Sequence, residues 1–349
     1  MLGRIRLLIE RINSTFEPMD AKKIDWLNIG LIFISLILAI QLPFKLFLFS
    51  YAFLGPLHYL TEINWLDEKN YFIKSSKKWM IGFVVVAILF SLYPIYQLIG
   101  NNPTDQLNDF ALLIAQNGGA FLVASLFFAA GLFFLQKTPQ VLIALVLSVA
   151  LALSMTYLLP KALLYVGVFL PTLIHVYLFT LLFMWFGAKK SKSKVGKASV
   201  ICLALVPFLI MIWDIDGSTY TLSDYDINAM TDSNFFSVTR EIVSLFGGWT
   251  EGTFSVISDM AIKAQIFLAF AYTYHYLNWF SKTSIIGWKK ALTQKKIIGI
   301  VVAWGFTSAI YLYDFKIGFV ALFFLSFLHV FLEFPLNVAT IKGLFSKGK

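Results

Sequence analysis

The chain of 349 residues contains only four histidines: His58, His175, His275 and His329. All four lie in long apolar stretches, and none lies in a polar connecting segment. An imidazole inside a membrane is costly unless it is paired, so each one is a candidate functional group. Neutral imidazole is a good ligand for iron, zinc or copper, and separate helices can bring several rings to one ion. The histidines therefore predict an intramembrane metal site.

Depth in the bilayer favours a shared site over four separate roles. A lone histidine in a span can simply donate a hydrogen bond to a backbone carbonyl across a helix contact. Counted from the same end of their helices, the four stand roughly 6 to 12 residues deep, which agrees within about 10 Å at 1.5 Å per residue. This common layer predicts one site held by all four side chains.

Two carboxylates accompany the histidines at helical spacing. Glu62 follows His58 by four residues, and Glu333 follows His329 by four residues. Positions i and i+4 share a helix face, so each carboxylate is expected one turn from its imidazole. We predict both glutamates as catalytic residues, either orienting the ligand rings or ligating directly in a His/Glu dinuclear centre. The alternative is that each glutamate only marks the cytoplasmic interface.

Composition identifies the class of protein that positions these groups. Hydrophobic residues make up 59% of the chain and charged residues 13%, with a mean hydropathy of +0.77. Water-soluble domains carry nearly twice that share of charge, so most of this chain must face lipid or a helix bundle. The single Cys202 excludes an intrachain disulfide and a cysteine metal motif.

Ten apolar runs are long enough to span a membrane, which predicts an all-α polytopic bundle of about ten transmembrane helices. The expected spans are 25–41, 44–66, 79–99, 110–135, 141–159, 162–187, 198–213, 256–280, 297–313 and 317–340. Pro94, Pro171 and Pro207 fall inside spans and are expected to kink them.

The distribution of positive charge predicts the orientation. With a cytoplasmic N-terminus, 23 of the 28 Lys and Arg residues lie on the inner side, and the C-terminus is cytoplasmic too. The net charge of +9 thus reflects membrane orientation, and we expect no nucleic-acid partner. The expected location is a bacterial cytoplasmic (inner) membrane.

Three regions are expected along the chain. Residues 1–23 form a basic amphipathic segment, 24–341 one transmembrane domain, and 342–349 a basic tail. The outer segment at about 214–255 begins with acidic residues, for which we favour a solvated loop over a calcium site. Its second half has apolar residues at helical spacing and predicts a helix on the outer interface, acting as a lid.

The four histidine segments, GPLHYLTE, TLIHVYL, TYHYLNW and LHVFLE, resemble the Brp/Blh family of membrane carotenoid dioxygenases. The resemblance implies a non-haem Fe(II) centre held by His58, His175, His275 and His329. It further implies that dioxygen is used to cleave the central double bond of β-carotene into two retinal molecules. Phe and Tyr rings would then line a tunnel for a lipophilic polyene that enters from the bilayer.

Two other functions fit the same residues. The first is a proton- or ion-coupled transporter that uses His and Glu as a relay, although only Asp259 and Lys263 extend a polar path outward within the spans. We expect those two residues to form a structural ion pair. The second is a membrane protein that binds haem, zinc or another metal without catalysis.

Overall fold

A computed structural model of the protein describes residues 20–69, 77–100, 106–248, 252–282 and 292–346. Within these ranges the secondary structure is entirely helical, without strands, as the sequence predicts. Most of the predicted amphipathic segment and the end of the tail lie outside the described residues. The α-helices are α1 Ala21–Gln41, α2 Pro43–Phe49, α3 Gly55–Lys69, α4 Met80–Leu98, α5 Gln106–Gln116, α6 Gly118–Phe134, α7 Thr138–Leu158, α8 Pro160–Phe169, α9 Thr180–Ser191, α10 Lys194–Ile212, α11 Asp224–Asp232, α12 Phe235–Leu245, α13 Asp259–Ser281, α14 Gln294–Tyr313 and α15 Phe315–Phe345.

In the described part of the chain, seven helical stretches are long and apolar enough to cross a membrane. They are α1, α4, α7, the continuous stretch from α8 to α9, α10, α14 and α15; the pair α5 and α6, bent by 59°, makes up to eight. Side chains such as Leu147, Phe208 and Ile212 are exposed on these helices, as lipid contact requires. These features make the chain a multi-pass membrane protein.

The sequence predicts ten spans. When α5 and α6 count as one bent span, eight of them meet this test, and the two that do not are the helical stretches 43–69 and 259–281. Helix α13 is 23 residues long, and 15 of them are buried. A helix enclosed by other helices has little contact with lipid, so it need not be as hydrophobic as a lipid-facing span. Its polar side chains can form hydrogen bonds with the neighbouring helices. Its position, packed against α1, α2, α3, α10 and α12, makes α13 a central helix of the bundle.

Two π-helical segments interrupt the helices that carry His58 and His175. Residues Ser50–Leu54 join α2 to α3, and Leu170–Phe179 join α8 to α9. Pro171, predicted to kink its span, stands at the start of the second segment, where the missing backbone N–H disturbs the helical ladder. Single π-turns are frequent at functional sites because they re-aim side chains relative to a regular helix.

The Asn117-Gly118-Gly119 motif both breaks a helix and permits close packing. Asn117 separates α5 from α6 at the 59° bend. A Cβ atom on Gly119 would lie 2.1 Å from the backbone oxygen of Leu163 in α8. The two backbones can therefore meet only because residue 119 has no side chain.

We expect Gly119→Ala to lower the free energy of unfolding by about 1–3 kcal/mol, because the added methyl forces α6 and α8 apart. Thermal unfolding of the purified protein in detergent measures this change. Gly299→Ala is the matched control, since a Cβ at that position of α14 meets nothing within 4 Å. Equal melting temperatures for the two variants would contradict the close helix contact.

The described part of the 214–255 segment contains two helices, α11 and α12. Helix α12 matches the helix predicted for the second half, whereas the acidic first half, predicted as a solvated loop, includes helix α11 and keeps most of its acidic side chains exposed. Two of its acidic side chains act as helix caps: Asp226 forms a capping box with Ser223, and Asp216 accepts from the backbone and hydroxyl of Ser218. Those hydrogen bonds lower the pKa of the Asp216 carboxyl. Phe235, at the start of α12, is buried among aromatic side chains of the bundle.

Candidate metal centre

The structure brings all four histidines together in the interior of the bundle. Their imidazoles form a closed ring of neighbours in the order His58, His275, His175 and His329. The centroid distances around this ring are 4.7, 5.2, 5.0 and 5.3 Å. Each side chain comes from a different helical stretch, and each is buried. We call this cluster the four-histidine site.

The ring nitrogens of the four-histidine site face one another in pairs. The Nε2 atoms of His175 and His329 are 3.1 Å apart, and those of His58 and His275 are also 3.1 Å apart. Nitrogens bonded to one ion at 2.0–2.1 Å in a tetrahedral arrangement are separated by about 3.3 Å. The spacing therefore fits two pairs of ligands to a bare metal ion. A bis-histidine haem needs room for a porphyrin plane between two nitrogens, which this spacing does not leave.

The opposite nitrogens of two rings contact acceptors, and this fixes their tautomers. Nδ1 of His275 lies 2.7 Å from the Thr180 hydroxyl, whose proton is donated to the Val176 carbonyl. Nδ1 of His329 lies 3.4 Å from the Leu325 carbonyl. Both Nδ1 atoms must then carry the hydrogen, which leaves the Nε2 lone pairs directed at the centre of the site. Such an arrangement is typical of metal-ligating histidines.

Glu333 contacts a different histidine from the one that its spacing predicts. Its Oε2 atom lies 2.8 Å from Nδ1 of His175, although it shares a helix with His329. Neither atom has a hydrogen-bond partner, so the two are close without a formed hydrogen bond; an ionised carboxylate at this distance favours the tautomer of His175 with the hydrogen on Nδ1. Glu333 is therefore suited to orient His175 from the side opposite the lone pair.

Glu62 lies close to the ring nitrogens that face one another, where a metal ion would be bound. Its Oε2 atom is 3.0 Å from Nε2 of His58, the same nitrogen that faces His275. One donor atom from each of His58, Glu62 and His329 lies within 4.8 Å of the other two. The same is true of His58, His175 and His275. The two glutamates thus differ: Glu62 is positioned to ligate, and Glu333 to support a ligand.

Charge balance also favours a cation at this position. Glu62 is 1% exposed and Glu333 is 3% exposed. Among the described residues, the buried polar and charged side chains include no Lys or Arg that could neutralise these carboxylates. Two carboxylates without a Lys or Arg partner in a membrane interior are costly, and one divalent ion would balance both. The donor set and its charge therefore fit a divalent metal.

Similarity to known proteins adds nothing to this geometry. The chain matches no protein-family model, no curated protein and no solved structure.

A cavity of about 260 Å³ adjoins the four-histidine site. His175, His275 and His329 form part of its wall, and Phe235 of the outer helix α12 lines it as well. Most of its surface is apolar and aromatic, including Phe319, Phe323 and Phe327 of α15. Some lining residues, such as Val168 and Phe327, are partly exposed. The cavity beside the site is thus partly open at the surface of the helix bundle.

Three further polar residues of helix α13 have separate roles. Tyr274 donates to Asn28 and contacts Met184, which keeps its hydroxyl outside the cavity. Asp259 accepts a hydrogen bond from the backbone N–H of Gly217. Lys263 donates to the Met211 carbonyl, so the structure gives Asp259 and Lys263 different partners instead of the expected ion pair.

Thr180 is a functional candidate that sequence reasoning missed. Its contact with His275 joins residues 95 positions apart, and hydroxyls in spans usually bond only to their own helix. We expect Thr180→Val to weaken metal affinity about 10- to 100-fold, because the ring of His275 loses its orienting acceptor. Competition with a metal chelator measures the affinity.

Thr156→Val is the matched control, since the Thr156 hydroxyl bonds only to the Ala152 carbonyl of its own helix. An unchanged metal affinity in Thr180→Val would contradict the orienting role of Thr180.

Proposed function

We propose that this protein is a non-haem iron-dependent membrane oxygenase that cleaves a carotenoid or similar lipophilic polyene with dioxygen. The observation that carries the proposal is the pairing of a four-histidine site with an aromatic cavity that shares three of its rings. Iron is held by His58, His175, His275 and His329 in this proposal. The topology has ten spans, with both termini on the cytoplasmic side of a bacterial inner membrane.

The residues around the iron have three roles: they hold the ion, orient the ligand imidazoles and exclude water. Thr180 and Glu333 keep the Nδ1 hydrogens of His275 and His175 on the outside of the site, so that the lone pairs remain available. When bound, iron supplies the activation of dioxygen, and one dioxygen with one carbon–carbon double bond gives two aldehydes. The apolar walls keep bulk water away from these reactants.

The size of the cavity sets how a substrate binds. A volume of about 260 Å³ holds roughly nine groups of the size of a water molecule. A carotenoid is much larger, so only the segment around the reacting bond fits beside the histidines. The remainder extends along the partly exposed aromatic side chains of α15 toward the lipid.

Expression in carotenoid-producing bacteria tests the substrate. We expect the wild-type protein to bleach cells that accumulate β-carotene or its hydroxylated or keto derivatives, with the aldehyde cleavage products appearing in the extract, and His175→Ala to leave the colour unchanged. Absorbance of the extract and chromatography of the aldehydes measure the conversion. Unchanged pigment in cells that contain iron-loaded wild-type protein would end the carotenoid assignment.

A further inference from the structure

A group of four hydroxyls interrupts the apolar wall of the cavity. Tyr51, Tyr59, Tyr276 and Ser326 all line it. The Tyr59 and Tyr276 hydroxyls are within hydrogen-bond distance of each other, and Tyr51 and Ser326 line the same cavity. We call these four residues the hydroxyl cluster. A pure hydrocarbon substrate would offer these groups no hydrogen bond.

The hydroxyl cluster lies directly beside the four-histidine site. The Tyr59 ring stacks on His329 with a centroid distance of 4.2 Å and an angle of 24°. The Tyr276 ring is 5.1 Å from that of His58 and 5.3 Å from that of His275. A group bound to the cluster would therefore lie beside the four-histidine site.

One hydroxyl of the cluster is weakly engaged. The oxygens of Tyr59 and Tyr276 are 3.2 Å apart, which is longer than an ordinary O–H···O hydrogen bond of 2.5–3.0 Å. A Cβ atom at Gly55 would come within 3.0 Å of the Tyr59 oxygen and 3.2 Å of the Tyr276 oxygen, so the glycine leaves room for both. The Tyr276 hydroxyl can accordingly turn its hydrogen toward an acceptor in the cavity without loss of a strong bond.

We propose that the hydroxyl cluster binds an oxygen atom of the substrate, with Tyr59 and Tyr276 as specificity-determining residues. The substrate is then an oxygenated lipophile, with a ketone or hydroxyl oxygen on an otherwise apolar chain close to the bond that reacts. This inference rests on the proposed function, because it identifies the cavity as the substrate site. Sites built to hydrogen-bond an oxygen discriminate strongly against analogues that lack it.

Infrared spectroscopy with a simple ketone tests the inference. The probe is 2-tridecanone labelled with ¹³C at the carbonyl, added to the full chain in lipid nanodiscs. A carbonyl that accepts a phenol hydrogen bond absorbs at lower frequency than one surrounded by lipid. We expect a saturable low-frequency band with the wild-type protein, and about tenfold weaker competition by n-tridecane, which has no oxygen.

The Tyr59→Phe/Tyr276→Phe double variant should lose the low-frequency band and bind the ketone about tenfold more weakly. Tyr274→Phe is the matched control and should retain the band, since its hydroxyl bonds to Asn28 outside the cavity. Absence of the band in wild type, or its persistence in the double variant, would overturn the inference.

Iron content of the same samples separates this inference from the proposed function. Iron without the carbonyl band refutes only the oxygen-binding role of the hydroxyl cluster. A carbonyl band in wild-type protein that does not bind iron supports the cluster and refutes the oxygenase.

Discussion

His329→Ala and His175→Ala are each expected to leave the purified protein without bound iron. Their Nε2 atoms face one another at 3.1 Å, and the removal of either ring leaves an incomplete donor set in an apolar interior. His175 also makes the contact with Glu333, so its loss removes the histidine partner of a buried carboxylate. Elemental analysis after purification measures the iron.

Asp259→Ala is the control for this prediction, because Asp259 bonds to Gly217 in the outer segment and should leave the iron content unchanged. Size-exclusion chromatography and circular dichroism check that each variant remains folded. Iron retained at the wild-type level in the single alanine variants of all four histidines would remove the four-histidine site as its ligand.

Removal of the metal is expected to lower the stability of the whole bundle. Without a cation, Glu62 and Glu333 are buried carboxylates with no Lys or Arg among the buried described residues, and facing Nε2 lone pairs repel. At a free metal concentration 1,000-fold above Kd, binding contributes about 4 kcal/mol to the free energy of unfolding. Thermal unfolding of chelator-treated and iron-reloaded protein measures the difference.

The His58→Ala variant provides the internal control for that experiment. Because this variant is expected to bind no metal, it should melt at the same temperature with and without chelator. If the wild-type protein also melts at the same temperature before and after chelation, the carboxylates and imidazoles are stabilised by some other means.

Much of the architecture is predictable because the bilayer restricts the solutions. Long apolar runs can only be helices where no water is available to the backbone, so the helical bundle follows from hydropathy. The seven spans that meet the apolar criterion all lie at expected positions. Helix α13 shows where the pattern is weaker: its enclosure by neighbours removes the demand for lipid-facing residues.

The convergence of the histidines was also foreseeable, whereas their supporting contacts were not. The histidines are few, lie in apolar stretches and stand at similar depths in their spans. These three features indicated one layer for His58, His175, His275 and His329. Helical spacing paired Glu333 with His329, but the structure pairs it with His175 on another helix. Contacts between helices, such as Thr180 with His275, depend on rotation about each helix axis, which the π-helical segment alters.

Metal analysis of the wild-type protein, purified without oxygen and supplied with ferrous iron, tests the central claim most directly. We predict about one iron atom per chain and no Soret band, because the Nε2 spacing of 3.1 Å fits a bare ion and leaves no room for a porphyrin. A folded protein that binds no iron and no other divalent metal would contradict the four-histidine site as a metal centre.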